Sequence, residues 1–215
     1  MLIAAVMVVA FVIGIYVRTF ATAFEEYPPD AWAEARAAVR RTLRTPPVPA
    51  LPPVVEVTTA LACGLVAWRV GPVYLPALLY AAVAGVALAV IDWRTSRLPD
   101  VITLPSYPVL ALLLIPTGEL PRGLLGGLAL AGLYGLLWFA RPSAMGLGDV
   151  KLAGLIGMVT GALGWDTWVF AAIAGQLCGA VYAINLLVVK KADKKTEFPL
   201  GPFMLIGALA AVCLA

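Results

Sequence analysis

The chain has 215 residues, of which 62% are hydrophobic and 13% are charged, and its mean hydropathy is +0.97. Because soluble domains carry roughly a quarter of charged residues, this composition excludes a soluble domain and predicts an all-α, polytopic membrane protein. The apolar composition makes the lipid bilayer the expected partner. Because the net charge is only +3, no nucleic-acid partner is expected.

The first apolar run covers about residues 2–20 and lacks the basic start of a cleaved signal peptide. Arg18 lies near its end, which predicts a retained transmembrane helix with the N-terminus outside. Residues 23–53 then form a polar, proline-rich segment, which we expect to be a cytoplasmic loop. Its middle, residues 30–45, is compatible with a short amphipathic helix at the membrane surface, with acidic side chains early and basic ones late. A solvated loop is the favoured alternative.

Seven further apolar runs follow with short breaks, and no strand-like alternation competes with them. They cover about residues 54–68, 72–91, 102–115, 124–140, 150–163, 168–189 and 203–215. Several are near the short limit for a membrane span, which takes roughly 20 residues. Together with the first run, they predict a single membrane domain over residues 1–215 with about eight transmembrane helices.

The distribution of basic residues supports this division of the chain. With the N-terminus outside, all 15 lysines and arginines except Arg69 and Arg122 fall on the inner face. A wrong number of spans would scatter this pattern, because basic residues concentrate in cytoplasmic loops. We therefore expect both termini to lie outside.

Two aspartates lie at the inner ends of predicted spans. Asp92 closes the third run and Asp149 opens the sixth. Carboxylates in membrane segments are costly and are functional by default, although interfacial solvation or pairing with a lysine would also account for them. Two neighbouring carboxylates hold one proton between them, because repulsion and desolvation oppose ionisation of both. Such a pair suits peptide hydrolysis, in which one carboxylate activates a water and the other donates a proton.

Other common catalytic chemistry is excluded by the residues present. The chain has no histidine, and its three cysteines lie in separate apolar runs without metal-ligand spacing. Zinc sites of the usual kind and catalysis by serine–histidine or cysteine–histidine pairs are therefore excluded. No cofactor or metal is expected.

Three short segments carry a resemblance to a known family. They are DWRTSRLPD at residues 92–100, GLGDVKL at 146–152 and FPLGPF at 198–203. In this order they resemble the type IV prepilin peptidases, aspartic proteases of the inner membrane. That family shows an aspartate followed by a basic turn and an (I/L)-P-(D/N) step, then G-x-G-D-x-K, then a P-x-G-P-F loop. The resemblance covers about half of the chain.

The resemblance implies that Asp92 and Asp149 are the catalytic pair. It implies supporting or substrate-binding positions at Gly146, Gly148, Lys151, Asp100, Pro199, Gly201 and Pro202. We expect Asp100 to cap the fourth helix, and Lys151 to meet lipid phosphate or to hold the loop. The segment from Pro199 to Pro202 is expected to break the helix and leave backbone groups for an extended substrate, a simple loop being the alternative.

The resemblance also implies the substrate. Prepilins and pseudopilins carry a short basic leader, a glycine and an apolar helix, and they are cut after the glycine on the cytoplasmic side. Larger family members have two C-x-x-C pairs in a long loop between the first two helices, associated with N-methylation. This loop has no cysteine, so methyltransferase activity stays open, as does the choice between a pilus, a secretion pseudopilus and a DNA-uptake filament.

Two other readings of the aspartates remain as alternatives. A small transporter could use them as a proton or cation relay, but transporter sites usually lie near the bilayer midplane. A presenilin-like intramembrane protease shares G-x-G-D, but the basic turn and the 198–203 loop favour the prepilin peptidases. Oligomeric state stays open, because small-residue positions such as Gly123, Gly126 and Gly127 are the sole interface signal.

Overall fold

The computed structural model describes residues 1–140, 142, 145–188 and 199–214. Across these residues the protein is all-α, with nine α-helices and one short 3-10 helix (Ile115–Thr117). The helices are α1 (Leu2–Ala21), α2 (Ala31–Arg44), α3 (Val54–Arg69), α4 (Leu75–Thr95), α5 (Asp100–Leu114), α6 (Leu120–Ala140), α7 (Leu147–Leu163), α8 (Trp165–Val188) and α9 (Gly201–Leu214). The prediction of an all-α membrane protein is confirmed.

Five helical segments among the described residues are long and apolar enough to cross a membrane. They are α1, α4, α5 with its 3-10 extension, α6 and α8, and α9 is a shorter apolar helix. Each apolar run predicted from the sequence coincides with a helix. Eight transmembrane spans and two outside termini stay predictions. Arg141, Lys190, Lys191, Lys194 and Lys195, which entered the charge argument, lie outside the described residues.

The amphipathic segment between the first two apolar runs forms a helix, α2, over residues 31–44, and its place at the membrane surface or in a solvated cytoplasmic segment stays a prediction. Asp30 caps this helix, because its Oδ1 accepts hydrogen bonds from the backbone N–H of Trp32 at 2.8 Å and of Ala33 at 3.2 Å. Ala38 is buried in one apolar cluster with Ala21 of α1 and Ile91 of α4. The cap therefore starts the helix, and packing fixes it against the bundle.

Glycines bring α6 and α7 into direct backbone contact. A Cβ on Gly126 would lie 2.5 Å from the Gly157 carbonyl oxygen, and one on Gly127 would lie 2.9 Å from the Gly154 carbonyl oxygen. Gly123 also packs on α7, where its Cβ would lie 3.0 Å from the Met158 carbonyl oxygen. Small residues permit such approach between apolar helices. The glycines considered as an oligomer interface signal therefore pack within the chain.

The same kind of contact joins α8 to α9 and α1 to α3. A Cβ on Gly175 would lie 3.0 Å from the Met204 Cα, and one on Gly14 would lie 2.6 Å from the Glu56 Cα. Helix α4 packs on α1, α3, α5 and α9. The bundle thus contains three tightly packed helix pairs, with α4 between them.

A buried ion pair fastens α1 to α3. The Glu56 side chain is fully buried, and its Oε1 accepts a 2.8 Å hydrogen bond from Arg18 Nε. Arg18 Nη2 also donates to the Val48 carbonyl oxygen at 2.7 Å, and the Ala50 N–H donates to Glu56 Oε1 at 3.2 Å. The pair therefore holds the proline-rich segment before α3 as well as the two helices.

Candidate active site

Asp92 lies in the last turn of α4 and is only 4% exposed. The helix ends at Ser96, which has a left-handed backbone (φ 49°) and donates its N–H to the Asp92 carbonyl oxygen at 2.8 Å. Pro99 then precedes α5. The chain therefore reverses direction directly after Asp92, and it holds that carboxylate at one end of the bundle.

The N-terminus of α9 meets the Asp92 carboxylate. The Gly201 N–H donates a 3.0 Å hydrogen bond to Asp92 Oδ2. This N–H belongs to the first turn of α9, where backbone donors have no intrahelical partner. A Cβ on Gly201 would lie 2.8 Å from Asp92 Oδ2, so glycine is what lets the carboxylate reach the backbone. The sequence placed Gly201 in the substrate loop and did not foresee this contact.

Asp149 is the third residue of α7 and is half-buried. Its Oδ2 accepts a 3.2 Å hydrogen bond from the Gly146 N–H, and its own N–H donates to the Gly146 carbonyl oxygen at 3.1 Å. This reciprocal link starts α7 earlier than the apolar run alone suggested, at Leu147. Gly146 therefore orients the Asp149 side chain through its backbone.

The structure brings Asp92 and Asp149 together. The two carboxylates interact electrostatically, although they come from helices far apart in the sequence. Each carboxylate accepts a hydrogen bond from a glycine backbone N–H. The arrangement can hold a shared proton and present two acidic side chains to one peptide bond.

Helix α5 holds α7 at Lys151, two residues after Asp149. Lys151 Nζ donates a 2.6 Å hydrogen bond to Asp100 Oδ1. The Tyr107 hydroxyl, two turns further along α5, donates to the Lys151 carbonyl oxygen at 2.8 Å. The expectation that Asp100 caps α5 is wrong, because Pro99 occupies the cap position and Asp100 lies in the first turn, where its carboxylate pairs with Lys151.

Gly148 lets the first turn of α7 approach the turn between α4 and α5. A Cβ on Gly148 would lie 3.0 Å from the Leu98 Cβ. Further along, Gly154 makes room for the Tyr107 ring, whose hydroxyl occupies the space of a Cβ. The side of α7 that faces α5 therefore has glycines on both sides of Lys151, and this packing sets the rotation of α7.

Of the segment predicted to break the helix, Pro199 and Leu200 are non-helical, whereas Gly201 and Pro202 already belong to α9. Pro199 and Leu200 precede the helix, and the Leu200 carbonyl oxygen accepts from the N–H groups of Phe203 at 3.1 Å and Met204 at 3.2 Å. Pro202 occupies the first turn, where its missing N–H costs no intrahelical bond. Phe198, the first residue of the predicted motif, lies outside the described residues.

Two side chains near the aspartates were not predicted from the sequence. Tyr134 of α6 is 2% exposed, interacts electrostatically with Asp149 and hydrogen-bonds the Gln176 side chain. A tyrosine within an apolar run was an available signal, because a buried hydroxyl needs a partner. Arg97 Nη1 donates to the Glu25 carbonyl oxygen at 2.5 Å and lies 3.9 Å from Glu34 Oε1. It therefore connects the turn after Asp92 to the segment that carries α2.

An apolar cavity of about 310 Å³ lies between α3, α4, α5, α7 and α9. Its wall includes Leu88 one turn before Asp92, Leu152 one turn after Asp149, and Pro202 next to Gly201. One end of the cavity therefore lies beside the two carboxylates. Apolar side chains lining a concave site with a few polar groups at one end are typical of a ligand pocket.

Comparison with known proteins identifies similar sequences over the region of the two aspartates. Residues 77–184 match the model of the type IV leader peptidase family. The prepilin leader peptidase/N-methyltransferase of Aeromonas salmonicida is 31% identical over 202 residues, which are 89% of this chain and 67% of that protein. The proteins of the same name from Pseudomonas aeruginosa and Escherichia coli are each 29% identical over 74% of this chain. The matched region is 57% of the Pseudomonas aeruginosa protein and 71% of the Escherichia coli protein. No solved structure matches the chain.

Proposed function

This chain belongs to the type IV leader peptidase family and is a multi-pass inner-membrane peptidase that processes leader peptides, and from that premise we propose its substrates, cleavage site and catalytic residues. The substrates are type IV prepilin-like proteins or pseudopilins. Cleavage follows a glycine on the cytoplasmic side of the membrane. Asp92 and Asp149 are the catalytic pair, and the observation that carries this assignment is that the ends of α4 and α7 bring the two carboxylates close enough to interact electrostatically.

The proposed chemistry needs only a water molecule and the two carboxyl groups. The ionised carboxylate takes a proton from water, and the resulting hydroxide attacks the scissile carbonyl carbon. The protonated partner donates its proton to the carbonyl oxygen, which gives a tetrahedral diol. Collapse of this intermediate breaks the C–N bond as the carboxylic acid gives its proton to the leaving amine and the other carboxylate takes a proton from a diol hydroxyl. One proton is again held by the pair when the products leave.

The supporting residues position the reacting groups in this proposal. Gly201 orients Asp92 through its N–H, and Gly146 orients Asp149 in the same way. Gly148, Asp100 and Lys151 hold the start of α7 against α5. Pro199 and Pro202 lack a backbone N–H, and they border the start of α9, beside which an extended substrate strand would lie.

The apolar cavity supports a position for the substrate in the membrane. Its lining is provided mainly by aliphatic side chains of α4, α7 and α9. Apolar side chains that follow the cleaved glycine would enter this cavity beside Leu88 and Leu152, while the basic leader extends into the cytoplasm. The bound peptide would thereby place its scissile bond between Asp92 and Asp149.

Peptide cleavage by the purified protein tests the proposal. In detergent, the protein should cut a prepilin-like peptide after the glycine. Asp92→Asn and Asp149→Asn should each lower the rate by at least about 10²-fold, because each removes a proton-transfer group. Asp166→Asn, on the exposed first turn of α8, is the matched control and should keep full activity. Thermal unfolding of each variant separates lost chemistry from lost folding.

Two outcomes would contradict the assignment. Full cleavage by either Asp92→Asn or Asp149→Asn would remove that residue from the catalytic pair. Ion flux through reconstituted vesicles without any cleavage would favour the transporter alternative.

Mass spectrometry of the new N-terminus, with S-adenosylmethionine present, tests whether the chain also methylates its product. Labelling of Arg97→Cys by an impermeant maleimide in inside-out vesicles, and not in right-side-out vesicles, tests the proposed side of the site.

A further inference from the structure

Helix α2 presents an apolar stripe that nothing in the described chain covers. Trp32, Val39 and Leu43 are 64%, 47% and 78% exposed. Their spacing of seven and four residues places them on one narrow line along the helix, because each residue turns the helix by about 100°. A soluble surface rarely carries an aligned tryptophan, valine and leucine without a partner.

A row of arginines runs beside this stripe. Arg36, Arg40 and Arg44 follow one another at four-residue intervals, and all three are exposed. At this spacing they lie one turn apart on the same side of α2. The helix therefore presents an apolar line and a cationic line next to each other, over its full length.

The rotation of α2 is set by packing on its opposite side. Ala38 is fully buried with Ala21, Phe24 and Ile91. Glu34, on the same side, approaches Arg97 in the turn after α4. The apolar stripe lies about 120° round the helix from Ala38, and the arginine row faces away from the bundle. The two lines are thus directed outward and are not available to the bundle itself.

The depth of α2 follows from the same contacts. Ala21 is the last residue of α1, and Ile91 lies near the C-terminal end of α4. Helices α1 and α4 are both long and apolar enough to cross a membrane. Because Ala38 is buried in one apolar cluster with these two residues, α2 lies beside the ends of those helices, where they would leave the bilayer. An amphipathic helix at this depth, with tryptophan and leucine beside arginines, matches an interfacial helix. Guanidinium groups bind phosphate oxygens well, which favours anionic headgroups as the partner.

We propose that α2 is a binding surface for anionic phospholipids, with Trp32, Val39 and Leu43 inserted among the acyl chains and Arg36, Arg40 and Arg44 on the headgroup phosphates. The proposal does not depend on the peptidase chemistry. It adds a lipid contact to a helix that packs on α1 and α5.

Fluorescence quenching in nanodiscs tests this surface in the full chain. The bilayers contain brominated phosphatidylglycerol or brominated phosphatidylcholine, and Trp32→Phe is measured in parallel, so that the difference from wild type isolates Trp32. Brominated phosphatidylglycerol should quench Trp32 more strongly than brominated phosphatidylcholine at equal mole fraction. Replacing Arg36, Arg40 and Arg44 with glutamine should lower the relative affinity for phosphatidylglycerol roughly five-fold per arginine (about 1 kcal/mol each).

Replacing the same three arginines with lysine is the matched control, because it keeps the charges. That variant should keep more of the preference for phosphatidylglycerol than the glutamine variant, and an unchanged preference in the glutamine variant would overturn the proposal. Equal quenching of wild-type Trp32 by both lipids would also overturn it. So would the absence of quenching by either lipid, which would assign the stripe to water, a second copy of the chain or another protein.

Discussion

The backbone N–H of Gly201 donates a 3.0 Å hydrogen bond to Asp92 Oδ2, between residues 109 positions apart in the sequence. The contact joins the start of α9 to the end of α4. It also places the positive end of a helix dipole against the carboxylate. The glycine that begins the last helix therefore has a specific role, since the Cβ of a larger residue would lie too close to the carboxylate oxygen.

Gly201→Ala should impair cleavage. The new Cβ would lie 2.8 Å from Asp92 Oδ2, so the carboxylate or α9 must shift. A misplacement of about 1 Å in a catalytic group can cost about 10²-fold in rate. Peptide cleavage should fall by up to that factor in kcat with little change in KM. Gly132→Ala on α6, where a Cβ would meet nothing within 4 Å, is the matched control and should keep its activity. Unchanged kcat in Gly201→Ala would show that the contact does not orient Asp92.

The link between Asp100 and Lys151 should affect activity more than stability. The side chains are 54% and 33% exposed, so Asp100→Ala should change the free energy of unfolding by less than about 1 kcal/mol. It should nevertheless lower kcat by about ten-fold, because α7 loses a restraint two residues from Asp149. Asp100→Asn, which keeps an acceptor for Lys151, should retain most of the activity. Equal kcat values for the alanine and asparagine variants would refute a positioning role.

Glu56→Ala should destabilise the bundle. The change leaves Arg18 without its buried partner and removes the acceptor of the Ala50 N–H. Breaking a fully buried ion pair costs about 3 kcal/mol or more, and because Arg18 is 28% exposed we expect a loss of about 2 kcal/mol here. Denaturant unfolding in detergent measures this loss. Glu119→Ala provides the comparison, because Glu119 pairs with Arg122 while about a third of each side chain is exposed, and it should cost at most about 1 kcal/mol. Similar losses of unfolding free energy in Glu56→Ala and Glu119→Ala would show that burial of Glu56 does not strengthen its ion pair.

The α2 cap should weaken at low pH. Hydrogen bonds from the backbone N–H groups of Ala33 and Trp32 hold the pKa of Asp30 below its usual value of 3.8. A lowered pKa means that the cap stabilises α2 above pH 3.8 and that this stability is lost as the pH falls through the lowered pKa. Trp32 fluorescence, with Trp32→Phe subtracted, should report this step in an acid titration. Asp30→Asn should remove the step, because asparagine caps helices without titrating. A step of the same size in Asp30→Asn would assign it to another group.

The positions of the helices could be predicted because long apolar runs dominate the sequence. The predicted positions of the helix ends were less accurate. Helix α4 begins at Leu75, after a turn closed by the hydrogen bond from the Tyr74 N–H to the Gly71 carbonyl oxygen. Helix α7 begins at Leu147, before its apolar run, because Asp149 bonds back to Gly146. Hydropathy does not register such polar links at helix ends.

The contacts of the site could not be predicted for a different reason. Helices α7 and α9 are apolar on nearly every side, so their sequences carry little information about which side faces which neighbour. The pairing of Lys151 with Asp100, and of Gly201 with Asp92, depends on those rotations. The motif at residues 146–152 located Asp149, but only the packed bundle shows that Lys151 turns toward α5.

The glycine contacts between α6 and α7 limit how the site can move. Because the Gly126 and Gly157 backbones touch, α7 cannot rotate or slide without α6, and Asp149 travels with both. Gly175 and Gly207 join α8 to α9 in the same way, so the donor to Asp92 also belongs to a stiff pair. We therefore expect that, if the site opens for an incoming chain, α6 moves with α7 and α8 moves with α9, on either side of the apolar cavity.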